Sequence, residues 1–189
     1  MGNSVNFRML FFGNNKAVPL FCFLTVVILS LKSGKEPTDP FSDLNYDKVI
    51  AYDYNGEREN EIVNKNGKLD PTVIKKSVLT KSQILFINNV INDTDSYGGG
   101  TAGCFEPHFG MVYYRHDSIV EHISICLECN YLLSSFKISA VHHHDIEIPE
   151  DSLVLPRYGF SKEGRKKINK LVKELDFSHT IRKGSMFDE

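Results

Sequence analysis

The sequence predicts a small α+β domain in which an antiparallel sheet packs against two amphipathic helices. Three observations lead to this fold class. Short runs of β-branched and aromatic residues are typical of strands, and two longer segments repeat apolar residues at helical spacing. These strands and helices do not alternate regularly along the chain, which favours α+β over a doubly wound parallel sheet.

The predicted strands are four short runs rich in β-branched and aromatic residues. In chain order they are KVIAYDY (48–54), MVYYR (111–115), IVEHISIC (119–126) and FKISAV (136–141). Asn55-Gly56 and Asn66-Gly67 predict turns, because this dipeptide accepts positive φ angles. The second and third runs are neighbours in the chain, so we expect them to form a central hairpin over about 111–127.

The register of this hairpin follows from the choice of turn. With Asp117 and Ser118 as its two central residues, Phe109 faces Cys126 at the far end. Side chains alternate along a strand, so one face then carries the residues expected in the core. They are Ile119, Ile123, Ile125 and Leu127. A slip of one residue would exchange the two faces.

Both predicted helices begin with a recognisable N-terminal signal. In the segment 80–93, Thr80 and Gln83 have the spacing of a capping box, and isoleucines follow at helical intervals. In the segment 161–175, Ser161 is the predicted N-cap. Apolar residues share one face of this second helix, and its other face is basic.

Length and charge restrict the classes of function. The chain has 189 residues and a formal net charge of −2 at pH 7. This length suits one globular domain with a sizeable core. The near-neutral charge carries no electrostatic footprint for nucleic acid, so we expect no nucleic-acid partner.

The N-terminus predicts export or membrane anchoring. Residues 17–31, AVPLFCFLTVVILSL, are apolar and have basic residues on both sides. The run is shorter than the about 20 residues of a comfortable membrane helix, but it suits a secretory signal. We therefore expect residues 1–33 to be a signal peptide or signal anchor, 34–45 a linker, and 46–189 a single α+β domain. The expected location is extracytoplasmic, with membrane contact through residues 17–31 and a partner in the cell envelope.

Four potential ligands converge at one end of the predicted hairpin. GGGTAGCFEPHFG, residues 98–110, brings Cys104 and His108 to the end where Cys126 and Cys129 lie. Cys-x3-His and Cys-x2-Cys supply the soft and borderline donors that tetrahedral zinc prefers. One interpretation of the sequence is therefore a zinc site at Cys104, His108, Cys126 and Cys129.

Other chemistry remains open for the same cysteines. A disulfide from Cys104 to Cys126 or to Cys129 is favoured if the domain is exported into an oxidising space. Cys126 and Cys129 also have the spacing of a redox pair, although such pairs usually lie at a helix N-terminus. Small buried cysteines that pack a turn are the fourth interpretation.

The segments CFEPHFGMVYY and ISICLEC resemble a pattern in uncharacterised bacterial exported proteins and lipoproteins. That pattern combines a Cys-Phe-x-Pro-x-His-like turn, a β-hairpin and a strand that ends in Cys-x-x-Cys. The resemblance covers roughly residues 97–133. It departs from the pattern at Phe109, where the histidine is expected, since His108 lies one place earlier. The resemblance implies export and supplies no activity.

Two classes of function follow from the sequence. No G-x-S-x-G or H-E-x-x-H motif is present. The first class is a small exported or membrane-anchored domain, binding or structural, whose Cys/His cluster stabilises the hairpin end. The alternative is a metal- or thiol-dependent enzyme that uses Cys104, His108, Cys126 and Cys129.

Overall fold

The α+β fold class is confirmed by the computed structural model, which describes residues 39–56, 60–142, 159–181 and 185–187. A five-stranded antiparallel sheet packs against helices, as predicted. The expected signal segment, 1–33, lies outside these ranges. Within them, no helix combines the length and the hydropathy needed to cross a bilayer.

The secondary structure is arranged around one main sheet. In chain order the elements are β1 (Lys48–Tyr54), β2 (Val73–Val78), α1 (Lys81–Asn92), a 3-10 turn (Thr94–Ser96), β3 (Tyr97–Gly99), β4 (Phe109–Arg115), β5 (Ser118–Cys126), β6 (Tyr131–Ser134), α2 (Ser139–His142), β7 (Gly159–Phe160) and α3 (Lys162–Glu174). The main sheet has the order β2-β1-β4-β5-β6, and all its neighbouring strands are antiparallel. β3 and β7 form a separate two-stranded sheet.

The main core lies between the sheet and the helices α1 and α3. Ile87 and Ile91 of α1 and Ile168 and Leu171 of α3 are fully buried there, together with Met111 and other residues of the sheet. The opposite face of the sheet carries a second, smaller apolar cluster. It consists of Tyr52, Tyr54, Ile62, Val63, Val112 and Tyr114. Both faces of the central strands are therefore covered.

The helix starts follow the predicted caps. Thr80 caps α1 through a complete capping box, in which Gln83 N–H donates to Thr80 Oγ1 at 3.3 Å and Thr80 N–H donates to Gln83 Oε1 at 3.0 Å. Ser161 caps α3, and its Oγ accepts from Gly164 N–H at 3.2 Å. The predictions for both helix starts are confirmed.

The predicted position of the hairpin turn is wrong by one residue, and the predicted register is wrong with it. His116 and Asp117, not Asp117 and Ser118, are the central turn residues, and their φ angles are +47° and +66°. Two positive φ angles are characteristic of a type I′ turn, whose twist matches that of the flanking strands. Next to the turn the pairing is shifted by two residues, so that Arg115 faces Ser118. One extra residue in β5 reduces this shift to one residue further along, where Phe109 faces Ile125 and not Cys126.

A β-bulge divides the apolar face that was predicted for β5. Tyr114 pairs with Ile119 and Tyr113 pairs with Glu121, so Val120 is an extra residue in the ladder. The bulge moves Ile119 to the second apolar cluster. Beyond the bulge, the other three predicted residues lie in the main core. They are Ile123, Ile125 and Leu127.

The strand predicted over 136–141 is wrong. A tight turn follows β5 directly, with Asn130 at a φ of +66°, and β6 begins at the next residue. β6 pairs along β5, with Cys126 facing Tyr131. The predicted segment lies after this strand and includes the short helix α2, where Ile138 and Ala140 contribute to the main core. The alternating apolar residues of this segment therefore lie in and just before a helical turn, and not in a strand.

Part of the expected linker packs on the domain. Phe41 is buried, and its ring contacts those of Phe136 and Tyr113 at centroid distances of 5.5 and 6.0 Å. The packed part of the chain therefore includes Phe41, within the range expected to be a linker.

Candidate functional site

The structure places Cys104 and Cys129 at disulfide distance, with their Cα atoms 5.8 Å apart. This is one of the two pairings expected for Cys104. Cys126 is a free, buried thiol, and its sulfur accepts a hydrogen bond from Cys129 N–H at 3.0 Å. Phe105 and Tyr131 contribute to the same small apolar cluster. The predicted convergence of the three cysteines is therefore present.

His108 does not join the cysteines. Its backbone extends the sheet, since His108 N–H donates to the Ile125 carbonyl at 3.3 Å and its own carbonyl accepts from Tyr54 N–H at 3.2 Å. Its ring Nδ1 bonds to the Tyr54 carbonyl at 3.0 Å and the ring stacks on His179. The predicted four-ligand site is thus not assembled, because Cys104 and Cys129 are paired and His108 is engaged elsewhere. No three metal-ligating side chains among the described residues are placed to hold a metal ion.

The ring of His108 instead lines a cavity at this end of the sheet. The cavity has a volume of about 120 Å³ and combines polar groups with an apolar wall. Its lining residues are His108, Phe109, Ile125, Leu127, Glu128, Ser178, His179 and Thr180. They come from the residue before β4, from β4 and β5, and from the segments that follow β5 and α3. A small cavity with converging polar groups is the usual form of a ligand or active site.

Asp53 is hydrogen-bonded to two of the residues that line the cavity, Ser178 and His179. Its side chain is only 1% exposed, and it accepts three hydrogen bonds. His179 Nδ1 donates to Oδ1 at 2.6 Å, while the N–H and the hydroxyl of Ser178 donate to Oδ2 at 2.6 and 2.7 Å. Burial by itself raises the pKa of Asp53, but the hydrogen bonds from His179 and Ser178 outweigh it, so the pKa lies below its ordinary value. The buried carboxylate is therefore ionised at neutral pH.

His179 is held in one orientation by this carboxylate. The chain turns back after α3 at Asp176, which has a φ of +52°, and the buried Phe177 anchors the turn. In the neutral ring, a proton on Nδ1 that is shared with Asp53 leaves Nε2 as the basic nitrogen.

His108 provides a second imidazole next to the first. The rings of His108 and His179 are stacked with centroids 4.1 Å apart and planes 9° apart. Burial lowers the pKa of His108, the bond to the Tyr54 carbonyl partly opposes that effect, and the neighbouring His179 adds to the lowering. His108 is therefore neutral at pH 7. A carbonyl only accepts hydrogen bonds, so Nδ1 of His108 carries the proton and Nε2 is free of it.

The stacked arrangement suits proton transfer better than chelation. A metal ion bound by both Nε2 atoms would lie close to both ring planes, at about 2.0–2.1 Å from each nitrogen. Rings that are 9° from parallel and 4.1 Å apart do not meet this condition. A carboxylate-oriented imidazole beside a neutral imidazole is, in contrast, well arranged for general acid–base chemistry.

Sequence reasoning missed Asp53 and His179 as site residues. The two lie 126 residues apart, and neither belongs to a motif. One signal was present: Asp53 interrupts the apolar strand run KVIAYDY, and a charged residue in such a run is buried only when it has partners. The sequence does not indicate which residue supplies the partner.

Comparison of this chain with protein-family models, with curated proteins and with solved structures found no match in any of the three.

Proposed function

We propose that this domain is a small hydrolase that cleaves an acyl bond by general acid–base catalysis at the cavity lined by His108 and His179. The observation that carries the proposal is the 2.6 Å hydrogen bond from His179 Nδ1 to the buried carboxylate of Asp53. An imidazole oriented in this way is a general base whose free nitrogen acts on whatever enters the cavity.

The attacking group in this proposal is water. Ser178 is the nearest hydroxyl, but its Oγ donates to Asp53 at 2.7 Å and lies 3.3 Å from Nδ1 of His179, the nitrogen already engaged by the carboxylate. Ser178 therefore orients Asp53 and is not activated by the basic nitrogen. His179 Nε2 takes a proton from water as the water oxygen bonds to the acyl carbon. The bond from the acyl carbon to the leaving group then breaks, and the imidazolium returns the proton to the leaving group, so that a carboxylic acid and the protonated leaving group are released.

His108 has a positioning role in this scheme. Because it is neutral, it does not repel the imidazolium of His179, and its free Nε2 can accept a hydrogen bond from water or substrate. The volume of the cavity, about 120 Å³, limits the reacting group of the substrate to a few heavy atoms. A small acyl group is the substrate class that fits.

The cysteines are structural in this proposal. The Cys104–Cys129 pair links the segment before β4 to the end of the hairpin. Such a link is what a cluster that stabilises the hairpin end would provide. Burial raises the pKa of the Cys126 thiol, although backbone N–H groups oppose the effect, and a protonated buried thiol is a poor nucleophile. The geometry thus supports acid–base catalysis over a thiol-dependent enzyme.

Export is the second part of the proposal. A cysteine pair at disulfide distance is compatible with an oxidising compartment. Residues 17–31 supply the apolar segment that would direct or anchor the chain there. We propose that the domain acts outside the cytoplasm, next to a membrane and to cell-envelope partners.

Hydrolysis of p-nitrophenyl acetate by the purified chain tests the catalytic proposal. His179→Gln is expected to lower kcat/KM by about 100-fold or more, the usual contribution of a general base. Asp53→Asn is expected to lower it as well, because the wrong tautomer of His179 is then favoured. His116→Asn is the matched control: His116 is exposed in the hairpin turn, at the other end of β4 from the cavity, and Asn accepts its positive φ. A wild-type rate no higher than that of His179→Gln would contradict the proposal.

A further inference from the structure

A second cavity lies between α3 and the residues that follow this helix. It has a volume of about 220 Å³ and shares no lining residue with the cavity at His179. Four cationic side chains line it, Lys162, Arg165, Lys166 and Lys173, and within the described ranges no carboxylate does. We call this cavity the basic cleft. It concentrates positive charge on a chain whose formal net charge is −2.

Helix geometry brings three of these cations within reach of one ligand group. Arg165 and Lys166 follow Lys162 by one turn of α3, so the three side chains are neighbours on the helix surface. Lys173 lies about 10 Å further along the axis, at a rise of about 1.5 Å per residue. The lysines are exposed, whereas Arg165 is only 3% exposed. A single small anion can therefore meet a buried guanidinium and two exposed ammonium groups at one end of the cleft.

Contacts with the C-terminal segment hold the cleft in shape. Arg165 Nη2 donates to Ser185 Oγ at 3.2 Å, and the guanidinium carbon lies 5.4 Å from the centroid of the Phe187 ring. These contacts orient the planar guanidinium, whose fork of N–H donors matches phosphate oxygens. Ile181 N–H donates to Asn169 Oδ1 at 3.0 Å, so the NH2 group of Asn169 is the part that is left to donate into the cleft.

Two of the three lysines of the cleft have no carboxylate partner. Lys162 and Lys173 make no ion pair with the described residues, whereas Lys166 approaches an exposed carboxylate at 3.8 Å. Lys167 and Lys170 belong to the same helix but do not line the cleft, and they approach carboxylates at 3.9 and 3.7 Å. Like charges one turn apart on a helix repel each other. A negatively charged ligand at the Lys162 end of the cleft would relieve this repulsion.

We propose that the basic cleft binds a phosphate monoester that carries a small apolar group. A dianionic phosphate has three terminal oxygens, which can accept from Lys162, Lys166 and the guanidinium of Arg165. Phe187 and Ile181 supply apolar lining that the organic part of such an ester covers. Inorganic phosphate would satisfy the cations but leave this lining uncovered. The site is independent of the proposed hydrolytic activity.

A phosphorus NMR titration of the full chain with phenyl phosphate follows the ligand directly and needs no catalytic readout. In about 0.15 M salt, exposed charges that are more than about 8 Å apart are largely screened, so the titration reports local contacts. We expect one phenyl phosphate per chain, bound at least about fivefold more tightly than inorganic phosphate, because its ring buries apolar surface. No binding of phenyl phosphate, or equal affinity for the two ligands, would overturn the proposal.

The double variant Lys162→Gln, Lys166→Gln removes two cations from the cleft. Its affinity for phenyl phosphate is expected to fall by about tenfold or more, since hydrogen bonds between charged groups are the stronger ones. The matched control Lys167→Gln, Lys170→Gln makes the same change of charge on the same helix, and it should stay within about twofold of the wild type. All four side chains are exposed, so both variants are expected to fold. Equal losses in the two variants would contradict a built cleft.

Phe187→Ala tests the apolar part of the ligand. It is expected to bring the affinity for phenyl phosphate close to that for inorganic phosphate, and a preference that persists would contradict the role of this ring. An anionic membrane is the competing partner for a basic helix face. Cosedimentation that is stronger with phosphatidylglycerol than with phosphatidylcholine vesicles, without binding of phenyl phosphate, would assign the lysines to a membrane surface and overturn the proposal.

Discussion

At the scale of single residues, Asp53 is the side chain that orients the candidate base, His179. A buried carboxylate is costly unless it is hydrogen-bonded, and here three hydrogen bonds reach it from one short segment, Ser178 and His179. The carboxylate thereby holds a segment that follows α3 against the end of β1. The same residue orients the candidate base and fastens this segment to the sheet.

Asp53→Asn is therefore expected to destabilise the fold as well as the site. The charged hydrogen bonds and the buried pair with His179 suggest a loss of about 2–4 kcal/mol at pH 7, measured by urea unfolding. The pKa of Asp53 is lower in the folded state than in the unfolded chain, so its contribution is complete above the unfolded value of about 3.9 and is lost as the pH falls through the folded value. The difference between wild type and variant should therefore shrink in acid. A difference that is absent at pH 7, or that stays constant to pH 2, would contradict this account.

At the scale of elements, the helices depend on local caps and the sheet depends on long-range packing. α1 carries no acidic residue in its first turn, so the capping box of Thr80 and Gln83 is the main device that satisfies its first N–H groups. α3 has both Ser161 as N-cap and Glu163 in its first turn. The start of α1 is thus the more dependent on a single side chain.

Thr80→Ala is expected to lower the free energy of unfolding by about 1 kcal/mol, because the N-cap oxygen is lost. Thr80→Ser is the control, since it keeps the oxygen that accepts from Gln83 N–H. Thermal or urea unfolding measures both variants. Equal losses in the two variants would show that the methyl group of Thr80, and not its cap, is important.

The hairpin shows where sequence reasoning at this scale ends. Its two strands were predictable, because alternation of side chains is local information. The type I′ turn at His116 and Asp117 and the extra residue Val120 were not, because neither contains the Asn-Gly or Gly signals that mark such features. Ile119 therefore exchanged faces, although the residues beyond the bulge lie where they were predicted.

At the scale of the whole molecule, two ties join distant parts of the chain at one end of the sheet. The Cys104–Cys129 pair closes a loop with a sequence separation of 25 residues around the hairpin. The bond between Asp53 and His179 spans 126 residues. The first tie lies close to the hairpin in sequence, and the convergence of its cysteines was predictable from the hairpin, although the sequence left open whether Cys104 pairs at all and with which partner. The second depends on how α3 returns to the sheet, which no local pattern encodes.

Opening the Cys104–Cys129 pair is expected to lower the free energy of unfolding by about 3 kcal/mol, the chain-entropy contribution of a loop of this length. The measurement is urea unfolding of the full chain with and without a phosphine reductant, in the presence of a chelator. The double variant Cys104→Ser, Cys129→Ser should show the same loss without reductant. Unchanged unfolding after complete reduction would contradict a stabilising role.

The central position of β4 has a consequence for amide hydrogen exchange. β4 is hydrogen-bonded along both edges, and six of its seven residues are buried. Its amides should therefore exchange with solvent deuterium only when the whole domain unfolds. His108 immediately precedes this strand, and its N–H is hydrogen-bonded to the Ile125 carbonyl of β5. His179, in contrast, lies in a short segment after α3. We therefore expect the backbone amide of His108 to exchange slowly with those of β4 and the backbone amide of His179 to exchange faster, so that the two sides of the cavity differ in their protection from solvent.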